Sequence, residues 1–163
     1  MTQWRPQPIV RVVAIGLHWR EGRLLAAEVR DDAGRLKGVR PLGGGVQFGE
    51  LWQAALAREF KEELGVSITL EGTPFVMENI YHHEGATGHE VVFVSEVKFA
   101  DGAFADGDSI TFREDNGVAA VARWFDLAAF DIVGCPELYP SGLKALLLDG
   151  RTARQPTVRT RIS

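Results

Sequence analysis

One stretch constrains this 163-residue chain more than any other: Gly44 to Val66, G-G-V-Q-F-G-E-L-W-Q-A-A-L-A-R-E-F-K-E-E-L-G-V. A glycine-rich turn runs into an amphipathic segment that ends at Gly65. At roughly 100° per residue, Leu56, Ala57, Phe60 and Leu64 share one side of a helix over 51–64, and Glu59, Glu62 and Glu63 share the other. Gly65 is placed to cap its C-terminus. Like charges at i,i+3 and i,i+4 repel, costing an isolated helix a few tenths of a kcal/mol per pair. A hard divalent cation among the three acids would remove that repulsion, since such ions take oxygen ligands. A solvated acidic helix face is the plainer reading of the same residues. Gly43, Gly44 and Gly45 just before the helix permit a close backbone approach to a ligand, and a helix N-terminus favours anions. Arg58 can pair with Glu62 at i,i+4 or reach back to Glu50.

Composition limits what such a site could serve. A net charge of −4 gives no basic footprint for a nucleic-acid polymer. A small anionic ligand fits, because a bound metal reverses the local sign. The single cysteine, Cys135, excludes an internal disulfide and a Cys-based zinc site; it reads as a small buried or half-buried residue. The polar N-terminus and the lack of a long apolar run point away from a signal peptide and a membrane span, so a cytoplasmic setting is the expectation.

The flanks read as strands. Residues 9–19 and 23–29 form a hairpin, 36–42 a short extended piece, and 66–70, 75–81, 89–99, 110–112 and 118–125 further strands. Residues 71–74 read as a turn, 82–88 as a polar loop, and 138–148 as a second helix. The pattern is an α+β fold in one domain, with a core over about 8–150 and an arginine-bearing tail at 151–163.

Taken whole, the central stretch resembles the Nudix box, G-x5-E-x7-R-E-U-x-E-E-x-G-U, with U a bulky apolar residue. Gly44, Glu50, Arg58, Glu59, Glu62, Glu63 and Gly65 fill its fixed positions at the right spacing. Phe60 and Val66 fill the apolar ones, Phe60 lying outside the usual aliphatic choice. Pro41-Leu42-Gly43-Gly44 and Ala122-Arg123-Trp124-Phe125-Asp126-Leu127 also look like parts of a Nudix domain. The resemblance implies a mixed sheet sandwiched between helices, an α/β/α sandwich. It implies a site for Mg²⁺, with Mn²⁺ as the alternative, held by Glu59, Glu62, Glu63 and the backbone carbonyl of Gly43. Arg58 and Glu50 would form an ion pair that supports the catalytic helix, while Phe60 and Leu64 anchor it.

The reaction implied is hydrolysis of a phosphoanhydride in a nucleoside diphosphate linked to another group, a small-molecule nucleotide or dinucleoside polyphosphate. Glu59 is a candidate general base, and Glu84, Glu90 and Glu114 are later carboxylates that could serve as base or ligand, with Glu90 and Glu114 preferred. Arg40, Gly44, Gly45, Tyr81 and Glu90 are the expected substrate contacts. Tyr81 falls where family members that cleave dinucleoside polyphosphates tend to carry a tyrosine. Trp19, Phe48, Trp52 and Trp124 are candidate stacking platforms as well as core candidates, and His82, His83 and His89 cluster near the expected entrance. The alternative within the family is a nucleotide-sensing module without turnover; an intact set of box acids favours the enzyme. A homodimer is left open.

Overall fold

The computed structural model describes residues 3–100 and 102–153. Strands β1 (Val10–Leu17), β2 (Trp19–Arg20), β3 (Arg23–Arg30), β4 (Leu36–Arg40) and β5 (Gly43–Gly45) precede helix α1 (Trp52–Leu64). Then come β6 (Ile68–His83), β7 (Ala86–Phe99), β8 (Ser109–Arg113), β9 (Ala119–Phe125), a 3₁₀ turn at Leu127–Ala129, β10 (Glu137–Leu138) and helix α2 (Leu143–Ala153). One mixed sheet has the order β5-β1-β7-β6, with β1 and β7 parallel. The second has the order β10-β4-β3-β9-β8, with β2 paired to β3.

Side-chain alternation along the strands places a helix on each side of these sheets. Val13, Ile15 and Leu17 of β1 join Leu24 and Ala26 of β3 in a buried cluster that takes Leu143 and Leu147 from α2. The intervening Ala14, with Leu25 and Ala27, joins the cluster that takes Leu56 and Phe60 from α1. The helices therefore cover opposite faces, which is the α/β/α arrangement expected.

Four expectations about the elements change, and one about Cys135. Gly43 to Gly45 form a short strand paired with β1, not a turn, and α1 begins seven residues after Gly45 (Trp52 against Gly45). Strand β6 runs straight through residues 71–74, absorbing them as a bulge between Glu71 and Phe75 with Gly72 at φ 67. The loop expected at 82–88 is a hairpin whose turn is only Glu84-Gly85, both at positive φ (49 and 80). Helix α2 starts later than expected because Glu137 and Leu138 pair with β4 as a strand. The two middle errors share a cause: β6 is an edge strand, mostly exposed, so its sequence is polar where a buried strand would be apolar. Cys135 is exposed rather than buried. It sits in a loop outside both core clusters. The tail beyond residue 153 lies outside the described residues.

Candidate active site

Helix α1 is held by its apolar face. Phe60 is 1% exposed and Leu56 is fully buried, and the Phe60 ring packs so closely on Gly16 of β1 that no Cβ fits there. The C-terminus closes at Gly65 (φ 67), whose N–H donates to the Lys61 carbonyl. The opposite face carries the acids and one arginine that organises them. Arg58 grips Glu50 with two donors, Nε to Oε2 at 2.8 Å and Nη2 to Oε1 at 3.0 Å. The same guanidinium donates to Glu59 Oε1 at 3.0 Å, Glu62 Oε2 at 3.2 Å and the Gly45 carbonyl at 3.1 Å. Both sequence-level options for Arg58 are realised at once, and the guanidinium also ties α1 to β5. It holds the Glu50 carboxyl below its ordinary range, chiefly through that hydrogen bond.

Glu59 is the innermost acid, 2% exposed. Arg58 takes its Oε1, while its buried Oε2 has no hydrogen-bond partner. Gly44 lies against this carboxylate so tightly that a Cβ there would collide with it. Burial raises the Glu59 carboxyl, with Asp115 and Glu62 adding to the rise and Arg58 opposing it. Glu63 is pushed up to about 8, first by burial and then by Glu59, Asp115 and Glu114, with Arg40 opposing.

Carboxylate oxygens of Glu59, Glu62 and Asp115 lie within 4.8 Å of one another. Asp115 comes from the turn between β8 and β9. That turn is fixed by Glu114 N–H to the Val118 carbonyl (3.0 Å), Gly117 N–H to the Glu114 carbonyl (2.8 Å) and Val118 N–H to Asn116 Oδ1 (2.9 Å). Among the described residues this is the one group of three metal-capable side chains. Glu63 is outside this tight trio but faces the same acids. An all-oxygen set with an orphaned buried carboxylate oxygen suits a hard divalent cation.

A cleft of about 490 Å³ opens on these acids, lined by Arg11, Val12, Gly45, Gln47, Glu59 and Asp115 among others. Arg40 is close enough to lower the carboxyls of both Glu63 and Glu114 and lies 3.7 Å from Glu90 Oε2. Tyr81 belongs to the same surroundings: burial raises its phenol first, Glu90 adds to the rise, and Arg40 and Arg11 oppose it. The structure thus brings Gly44, Gly45 and Glu114 close to the acids of α1, and Arg40 links these acids to Glu90 and Tyr81.

It separates others. Glu84 turns the hairpin and accepts from the Asp32 N–H at 3.5 Å. His82 meets Thr87, His83 meets Lys37 and Trp4, and His89 meets Glu78, so the histidines do not converge. Trp124 is buried, Trp52 stacks on Phe93 at 5.2 Å, and Trp19 packs against the cluster on the α2 side; Phe48 alone of the four is fully exposed. Arg11 and Asp115 escaped the sequence reading. Arg11 had a signal, a lone charge inside an apolar strand. Asp115 had none, being one acid in a charged turn.

Known proteins bear on the same residues. The NUDIX domain family matches residues 8–144. No curated protein matches the sequence. Among solved structures, the chain is similar to the E. coli ORF135 protein (22% identity, TM-score 0.59, covering 90% of this chain and 94% of that one). It is similar to a MutT NUDIX hydrolase from Burkholderia pseudomallei (24%, 0.55, 86% and 97%) and to the MutT protein from Methanosarcina mazei Go1 (17%, 0.50, 94% and 100%). At these identities the structures speak for the fold. With the family match covering most of the chain and the box complete on α1, the protein belongs to the NUDIX domain family.

Proposed function

We propose that the protein hydrolyses a phosphoanhydride bond in a nucleoside diphosphate linked to another moiety, in the nucleotide or dinucleoside polyphosphate class, and that it requires Mg²⁺, with Mn²⁺ able to replace it. The observation that carries this reading is the meeting of Glu59, Glu62 and Asp115 beside the orphaned Glu59 Oε2. Glu59, Glu62, Asp115 and the Gly43 carbonyl would hold the cation, with Glu63 beside them but outside the trio. When bound, the cation neutralises phosphate charge and makes water a stronger nucleophile at neutral pH.

The chain's own groups supply the rest. Arg58 fixes the Glu59 carboxylate by one oxygen and leaves the other, buried and without a hydrogen-bond partner, to a ligand from outside the chain. Arg11 and Arg40 bring positive charge to an acidic cleft and bind substrate phosphates there. Glu63 accepts the proton of the attacking water; it is freer for this than Glu59, whose Oε1 is held by Arg58. Tyr81 and Glu90 face the nucleoside side of the substrate.

The test is a panel of nucleotides with Mg²⁺, scored for released phosphate or pyrophosphate. The expected outcome is Mg²⁺-dependent release from at least one nucleotide. Binding of a nucleotide with no release from any member of the panel favours the sensing module instead.

A further inference from the structure

Glu90 carries more chemistry than a general substrate contact. It is 2% exposed, and Asn79, 8% exposed, is its direct cross-strand partner. Asn79 Nδ2 donates to Glu90 Oε1 at 3.3 Å. Glu90 Oε2 is buried and accepts no hydrogen bond, since the Arg40 guanidinium stands 3.7 Å away, beyond hydrogen-bond reach. A carboxylate has several acceptor sites and no donor. Leaving a buried one short of donors is unfavourable, so the site calls for N–H or O–H groups from outside the chain.

Its neighbours say which. Arg11, Glu90 and Asn79 are register partners across β1, β7 and β6, so they form one row on one face of the sheet. Tyr81 and Gly88 form the next pair on that face. The Tyr81 ring lies down over Gly88, where a Cβ would occupy the ring itself. A flat aromatic surface thus adjoins an acceptor-rich pair, and Arg11 connects both to the cleft that ends at Glu59 and Asp115. A ring beside acceptors suits a planar base with N–H groups on its edge better than it suits a sugar diol.

We propose that Glu90 and Asn79 read the nucleobase of the substrate and select a base presenting two adjacent N–H donors, as guanine does, with the base stacked on Tyr81. This rests on the nucleotide-hydrolase reading above for its setting. A pair of N–H donors would engage both carboxylate oxygens, and adenine, with an acceptor where guanine carries its ring N–H, would put a lone pair against Glu90.

The experiment is calorimetric binding of GMP, dGMP, IMP and AMP to the full chain without metal, where no turnover intervenes. GMP and dGMP are expected to bind alike, and at least about tenfold tighter than AMP, because a site built to pair a donor rejects the ligand lacking it. IMP, which lacks the exocyclic amino group, falls between. Glu90→Gln brings the GMP-to-AMP ratio to about one, because its amide offers one acceptor and a clashing donor. Equal affinity for GMP and AMP in the wild type, or binding of none of the four, overturns the inference without any variant having to fold. A dGMP affinity as weak as that of AMP assigns the carboxylate to a ribose diol and overturns it too. Hydrolysis with equal kcat/KM for every base would sink base selection and leave the hydrolase standing; a guanine preference in binding with no hydrolysis would do the reverse.

Discussion

At the scale of single residues, the site depends on one arginine distributing its donors and one glycine leaving space. Gly44→Ala puts a methyl into the Glu59 carboxylate. We expect it to weaken Mn²⁺ binding about 10- to 100-fold, the loss typical when a ligand's orientation is disturbed. Titration of Mn²⁺ by electron paramagnetic resonance reads this, and unchanged affinity would show that Glu59 is not held by the close fit. Away from the site, His18 gives a pH dependence. Its Nδ1 accepts from Trp124 Nε1 at 3.2 Å and its ring stacks on Phe99 at 3.9 Å. Burial first, and then Arg20, push it down to about 4. The unfolded chain therefore takes up a proton near 6.5 that the folded one refuses until about 4. Stability is full above this window and falls as pH drops through it. For a half-buried ring the loss is about 1–2 kcal/mol after allowance for solvent screening. Urea unfolding of wild type and His18→Gln across pH 7 to 4 should show the difference, and parallel curves would contradict it.

At the scale of elements, α1 and the strands β1 and β8 that it packs on were legible, and β5 and the long edge hairpin were not. The period of Leu56, Phe60 and Leu64 with Gly65 after them fixes a helix, and the helix observed, Trp52–Leu64, differs by one residue from that expectation. Phe60→Ala should cost about 3–5 kcal/mol, since the ring is fully buried between Gly16 and Phe99. A fall of less than about 1 kcal/mol in chemical denaturation would mean that α1 is anchored elsewhere. The sequence of the β6–β7 hairpin reads as three strands, 66–70, 75–81 and 89–99, broken by a turn and a loop, because polar residues dominate an edge strand; cross-strand pairing with β7, which no local pattern records, decides the length of β6. For the same reason Asn79 and Glu90 could not be joined from sequence: eleven positions apart, they meet only through the register. Asp115 reached the acids of α1 through a turn whose hydrogen bonds are visible only in three dimensions.

At the scale of the whole molecule, two helices on opposite faces of the sheets leave one edge of the sandwich for the cleft. The described residues are proposed to unfold as one unit, so the metal-free protein should show a single cooperative transition by heat. No helix among the described residues is long and apolar enough to cross a membrane. Glu59, Glu62, Glu63, Glu114 and Asp115 outnumber the arginines beside them, Arg58 and Arg40, and the proposed cation relieves their repulsion. Mg²⁺ at 100 times its dissociation constant should then raise stability by about 2.7 kcal/mol. Na⁺ at equal ionic strength should not, and an equal shift with both ions would reduce the effect to screening.

The central claim is that α1 and the β8–β9 turn together form a divalent-metal centre. It is tested most directly by Mn²⁺ binding to wild type, Glu59→Gln and Asp115→Asn, each confirmed folded by its thermal transition. The prediction is a saturable site in the wild type that weakens at least about tenfold in both variants, one inside the box and one outside it. Binding that is unchanged in both variants would contradict the centre described here.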